Sequence, residues 1–192
     1  MRTNSALKLS LSGLLIAVGI VIPMLSPFKI IIEPASFTLA SHVTIFIAIF
    51  ISPGMAAVVA IGTAIGFFLG GFPIVIVFRA ASHIVFALIG AFWMRRIPDS
   101  SRVGLKFRLF SLVVGLIHGL TELTVVTLFY FAGNMSALYY QRGFLLSVIL
   151  LVGVGTVIHS MVDFEIANLI IQPLKGVLAG LSPAPQNPSQ TT

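Results

Sequence analysis

Three pairs of ionisable residues stand four positions apart in otherwise apolar stretches: Arg79 with His83, His118 with Glu122, and His159 with Asp163. Four-residue spacing puts both members of a pair on one helix face. An ionisable group in hydrocarbon costs roughly 2.5–3.5 kcal/mol or more, so it faces a bundle interior and finds partners. His42 adds a fourth histidine. A guanidinium in this setting can clamp a carboxylate through two parallel charge-assisted bonds. A histidine can bond a ring nitrogen or a second oxygen. Two readings stand open. One is a closed structural network in which Glu122 neutralises Arg79. The other is a water-accessible pocket for a small polar ligand, with Arg79 left for a negatively charged guest. In the pocket reading Arg79 is the main anchor, and His83, Glu122, His118, His159 and His42 are further contacts. Asp163 holds His159 in one tautomer, while Glu165, two positions on, points elsewhere.

Missing signatures narrow the chemistry. No GxxxxGK[ST] loop occurs, so ATP hydrolysis by that route is excluded. His118 and Glu122 stand in the wrong order for an HExxH zinc site, and no GxSxG nucleophile elbow occurs. Without cysteine there is no disulfide, thiolate metal site or cysteine nucleophile. Three histidines and a carboxylate could bind zinc or nickel, but they form no compact ligand motif. No catalytic residue, metal or cofactor is expected, and the chain reads as a binding protein rather than an enzyme. The competing reading is an autonomous proton-coupled permease whose His, Glu and Asp groups form a proton relay.

The elements carrying these residues must be membrane helices. The chain has 192 residues, 58% hydrophobic and only 8% charged. Soluble domains are about 25% charged, so a water-exposed surface is excluded, and so is disorder. Six spans of roughly 20 residues each fit the length. They are expected at about Leu7 to Leu25, Thr38 to Ser52, Pro53 to Gly70, Pro73 to Met94, Lys106 to Ala132 and Val152 to Gln172. Pro53 and Pro73 suit first helical positions; Pro23, Pro27 and Pro173 mark exits. Residues 143–151 read as a short outer helix or structured loop, with one long tilted helix as the alternative. The basic, apolar N-terminus reads as the first span rather than a removed signal. Residues 1–178 form the membrane domain, and the polar tail 179–192 is expected to be disordered. At about 1.5 Å per residue, Arg79 lies roughly 9 Å below the start of its helix. The polar pairs can therefore converge in the outer half.

The 11 basic and 5 acidic residues give a net charge of +6. Arg2, Lys8, Arg95, Arg96, Arg102, Lys106, Arg108 and Lys175 fall on one side of the spans, against Lys29 and Arg142 on the other. This asymmetry makes both termini cytoplasmic, and the charge serves topology and lipid contact rather than nucleic acid. Gly62, Gly66 and Gly70 form one small face of the third span, and Ala56, Ala60 and Ala64 a second. Such faces let helices approach closely, inside the protein or against another subunit. Gly13 and Ala17 form a similar pair in the first span. The first loop is too apolar to be merely solvated. It either rests on headgroups or folds down as a lid that supplies Ser36 or Phe37. The fifth loop offers Asn134, Tyr139 and Tyr140, either to an interfacial belt or to an aromatic ligand.

Several stretches resemble the substrate-capture (S) components of energy-coupling-factor (ECF) vitamin transporters. SGLLIAVGIVIP looks like that family's alanine-x-x-x-alanine region, with Gly13 at the first alanine position and Ala17 at the second. PASFTLASHVTIFIAIFISP, GFFLGGFPIVIVFRAASHIVFALIGA and HSMVDFEIANLIIQPLKG are similar to members associated with niacin. The resemblance covers about residues 7–178. It implies an all-α six-helix membrane bundle that captures a small anionic vitamin, niacin first and pantothenate second. It implies a plasma-membrane location in a bacterium and no cofactor. The implied partners are a transmembrane coupling protein, docked on Gly13 and Ala17, and two cytoplasmic ATPase subunits. The first loop would gate an outward-facing site.

Overall fold

The computed structural model describes residues 2–32, 35–98 and 102–178. The expected disordered tail lies outside the described residues, as does Glu33.

Helix α1 spans Arg2–Leu25 and carries Pro23 in its last turn. The first loop then folds into a hairpin of β1 (Lys29–Ile32) and β2 (Ala35–Thr38). The strands are antiparallel, with Lys29 opposite Thr38 and Ile30 opposite Phe37. This hairpin is the one departure from an all-helical chain among the described residues.

Helix α2 is Val43–Ile51, nine residues, not the longer span expected from Thr38. At about 1.5 Å per residue it rises only about 14 Å, half the roughly 30 Å hydrocarbon core. Eight of its nine residues are buried. A helix apolar all round belongs in a core, and α2 packs against α1, α3 (Pro53–Leu69), α4 (Ile74–Met94) and α7 (Gly155–Leu178). The cause of its late start is tertiary. Asp163 of α7 accepts the backbone N–H groups of Ala40 and His42, both at 2.8 Å. Ala40 takes φ 67°, so the chain turns before it can be helical. Irregular backbone at membrane depth is tolerated where it is buried or lines a cavity.

Ser52 breaks α2 from α3 and caps the latter, its Oγ accepting the Met55 N–H at 3.2 Å, with Pro53 at the first helical position. The glycine face of α3 packs within the chain: a Cβ on Gly62 or Gly66 would collide with Ile16 or Ile20 of α1. Ala56, Ala60 and Ala64 are buried too. Both small faces of α3 therefore serve internal packing. Gly13 and Ala17, by contrast, are exposed, and a Cβ on Gly13 would meet nothing within 4 Å.

Helix α5 spans Gly104–Phe131. A short α6 (Ala137–Phe144) follows and breaks at Gly143, whose φ of 78° suits glycine. A π-helical stretch, Leu145–Val154, then runs straight into α7. Past the break at Gly143, residues 145–151 are thus the beginning of one long helix, the alternative weighed from sequence. Pro173 lies inside α7 and does not end it. Among the described residues, four helical segments are long and apolar enough to cross a membrane: Ser5–Leu25, Ile74–Met94, Gly104–Phe131 and Ala137–Leu174. The 17-residue α3 is a shorter apolar helix. The core beneath the polar residues is aromatic. Phe46 meets Phe164 edge-on at 5.4 Å, and Phe86 packs 4.3 Å from the His118 ring.

Candidate functional site

Four elements bring the polar pairs together. Arg79 and His83 come from α4, His118 and Glu122 from α5, Thr156, His159 and Asp163 from α7, and Ser41 and His42 from the turn before α2. Glu122 is the hub, and its two oxygens have different partners. Oε2 accepts from Arg79 Nη2 at 2.7 Å and from Thr156 Oγ1 at 2.8 Å. Oε1 lies 3.0 Å from His83 Nε2 and 3.5 Å from His118 Nε2. The guanidinium is therefore not left wholly for a guest, as the pocket reading had it. Glu122 takes one end of it. The Arg79 Nε–H, however, has no acceptor among the described residues.

A second hub is Asp163. Besides its two backbone bonds, it lies 3.1 Å from His42 Nδ1 and 3.2 Å from His159 Nε2. Ser41 Oγ completes this side, 3.0 Å from His159 Nε2. The expectation that Asp163 merely orients His159 was too narrow; it also pins the loop leading into α2. Glu165 is exposed and takes no part.

Glu122 and the residues tied to Asp163 form one wall of a cavity of about 310 Å³. Arg79, His83, Glu122, Thr156, His159, His42 and Ser41 line its polar side. Phe37, Phe67, Phe72, Ile45 and Ile76 line the apolar side, and Lys29, Thr38 and Pro23 lie along it where α1 passes into the hairpin. Phe67 and Phe72 stack at 4.5 Å with an 18° interplanar angle. A charged wall facing stacked aromatic rings suits a flat ligand bearing an anionic group.

Most residues picked out from sequence meet here, but not all. Phe37 seats its ring on the bare α carbon of Gly155, where a Cβ would lie 2.5 Å from Phe37 Cζ. Ser36 pairs with Ile31 through its backbone, and its side chain lies outside the described residues. His118 is fully buried behind the wall, its Nδ1 3.2 Å from Ser160 Oγ. Asn134 and Tyr139 do not line the cavity. Asn134 is exposed, and its N–H closes the end of α5 on Phe129 O at 3.0 Å. Tyr139 is buried against Val126, Val148 and Val152, and Tyr140 donates to Tyr130 O at 3.0 Å. The sequence reading missed Thr156, Ser41, Thr63, Phe67 and Phe72. Thr63, the one hydroxyl within α3, was the available signal for that helix.

Apolar helices long enough to cross a bilayer, closed around a polar cavity, define a multi-pass membrane protein. The niacin transporter NiaX of Lactococcus lactis subsp. cremoris is 39% identical over 160 residues, 83% of this chain and 71% of that protein. No family profile and no solved structure matches the chain. The identity and its coverage show that the chain belongs to the niacin-transporter family of ECF S components. It is a vitamin-transport protein, not an enzyme.

Proposed function

We propose that this chain is the capture subunit of an ECF-type importer for a small anionic vitamin, niacin first and pantothenate second. The observation that carries the reading is Arg79, a cavity-lining guanidinium tied to Glu122 by one nitrogen. A nicotinate carboxylate would pair with that guanidinium in a charge-assisted bond. Its ring would lie against Phe67, Phe72 or Phe37, and its nitrogen would meet His159, His83 or Ser41. The site residues of this reading are Arg79, His83, Glu122, His159, His42 and Phe37, with His118 supporting from behind. The hairpin over the cavity acts as the lid, held by Phe37 on Gly155.

Power comes from partners, since the chain has no nucleotide-binding loop. A transmembrane coupling protein would dock on the open Gly13 and Ala17 face of α1, with two cytoplasmic ATPases behind it. Both termini would be cytoplasmic and the cavity would face outward, in the plasma membrane of a bacterium. The test is titration of the purified protein with nicotinate and with pantothenate. Arg79→Ala is expected to abolish capture while the protein still inserts. Unchanged affinity in that variant refutes the anchor role.

A further inference from the structure

The structure assigns a second ligand to this site: we propose that His42, His83, His118 and Glu122 hold a divalent transition-metal ion of the zinc, nickel and cobalt class.

One ligand atom from each residue lies within 4.8 Å of all the others. Zn–N bonds of about 2.0–2.1 Å put tetrahedral donors roughly 3.3 Å apart. The distances from Glu122 Oε1 to His83 Nε2 and His118 Nε2, 3.0 and 3.5 Å, bracket that value. The ligands come from the turn before α2, from α4 and from α5. No local motif announces them, which is why the chain reads as metal-free in sequence.

The directions of the ring nitrogens point the same way. His118 is completely buried, its Nδ1 is engaged by Ser160, and its Nε2 makes no hydrogen bond. A buried imidazole nitrogen aimed into a cluster of donors is what a ligand looks like before the ion is added. His42 Nδ1 is held by Asp163, which leaves Nε2 for the cluster. A carboxylate behind a histidine is the usual outer support of a metal ligand. The rings of His42, His83 and His118 meet edge to face, with centroids 4.6–4.8 Å apart. Glu122 keeps the guanidinium out of the cluster, since Oε2 takes Arg79 and Oε1 faces the histidines. Three imidazoles and one carboxylate suit borderline cations; calcium and magnesium demand oxygen.

Charge supplies a role, and this part rests on the capture reading. Arg79, Lys29 and Glu122 line the cavity, and Asp163 lies behind it against His42 and His159. A vitamin carboxylate adds a negative charge that a bound divalent ion offsets.

The test uses full-length, tag-free protein, stripped with a chelator and titrated with Co2+ by visible absorption. The intense bands of four-coordinate Co2+ are expected, saturating at one ion per chain and bleached by Zn2+. His118→Ala should remove the bands while the protein stays monodisperse. Asp163→Asn should keep them and weaken affinity roughly 10–100-fold. No Co2+ bands in the unaltered protein, or bands unchanged in His118→Ala, overturns the site. Nicotinate is titrated separately, with and without chelator. Nicotinate binding without Co2+ bands removes the metal site and leaves the capture reading intact. Co2+ bands without nicotinate binding do the reverse.

Discussion

Arg79 and Glu122 pair at 2.7 Å, and both also line the cavity. Removing one partner of a buried pair strands the other and costs about 3–5 kcal/mol. Arg79→Ala should therefore lower the melting temperature as well as abolish nicotinate capture. Arg79→Lys separates the two effects. Lysine keeps the charge but lacks the planar fork. That variant should melt close to the parent yet bind nicotinate at least roughly tenfold more weakly, a loss of about 1.4 kcal/mol. Calorimetric titration beside thermal unfolding in detergent checks both halves, and equal affinity would sink the fork. Asp163 makes a complementary case. Asp163→Ala orphans the N–H groups of Ala40 and His42, at about 1–3 kcal/mol each. Hydrogen exchange at those two amides should quicken while amides in the middle of α5 stay protected. The i,i+4 pairs themselves were legible in the sequence, because a charge in an apolar run is conspicuous. Which oxygen of Glu122 meets which partner was not, since that depends on helix rotation.

The hairpin, α2 and the start of α7 act together. β2 brings Phe37 over Gly155, and Asp163 of the same α7 ties down the turn that follows β2. In the proposed lid, Phe37 is the latch and the bare glycine its seat. Gly155→Ala puts a Cβ 2.5 Å from Phe37 Cζ, so the ring must lift. The expected result is faster nicotinate release, about tenfold in koff with little change in kon, measured by stopped-flow chase. An unaltered koff would show that the hairpin is not held by this contact. The apolar runs of α1, α3, α4 and α5 set their own boundaries to within a few residues, because hydrophobic length and proline or glycine ends are local signals. The α2 start and the 143–151 stretch were misjudged or left open. Their boundaries depend on a carboxylate 121 and 123 residues away in α7 and on one positive φ at Gly143.

At the scale of the whole molecule, the capture cavity and the open face of α1 are separate surfaces. Gly13 and Ala17 are exposed on α1, whereas Gly62 and Gly66 pack against it. The double variant Gly13→Leu with Ala17→Leu should therefore leave folding and nicotinate binding unchanged. It should abolish uptake, because two large side chains would hold the proposed coupling protein off the helix. Uptake into vesicles containing the partner subunits, together with co-purification of the complex, is the measurement. A complex that still assembles with the double variant counts against docking there. Uptake by this chain alone, driven by a pH gradient, would favour the proton-coupled permease instead.

By itself the sequence determined that the chain lives in lipid, that its helices carry a small set of paired ionisable groups, and that it resembles vitamin-capture proteins. Those properties are local: composition, apolar length and four-residue spacing need no knowledge of neighbours. Only the tertiary structure decided that four histidines from four elements converge, that Glu122 already holds Arg79, and that one small-residue face is spent inside while another stays open. Convergence depends on how each helix is rotated about its axis, and rotation is set by packing against partners far away in the chain.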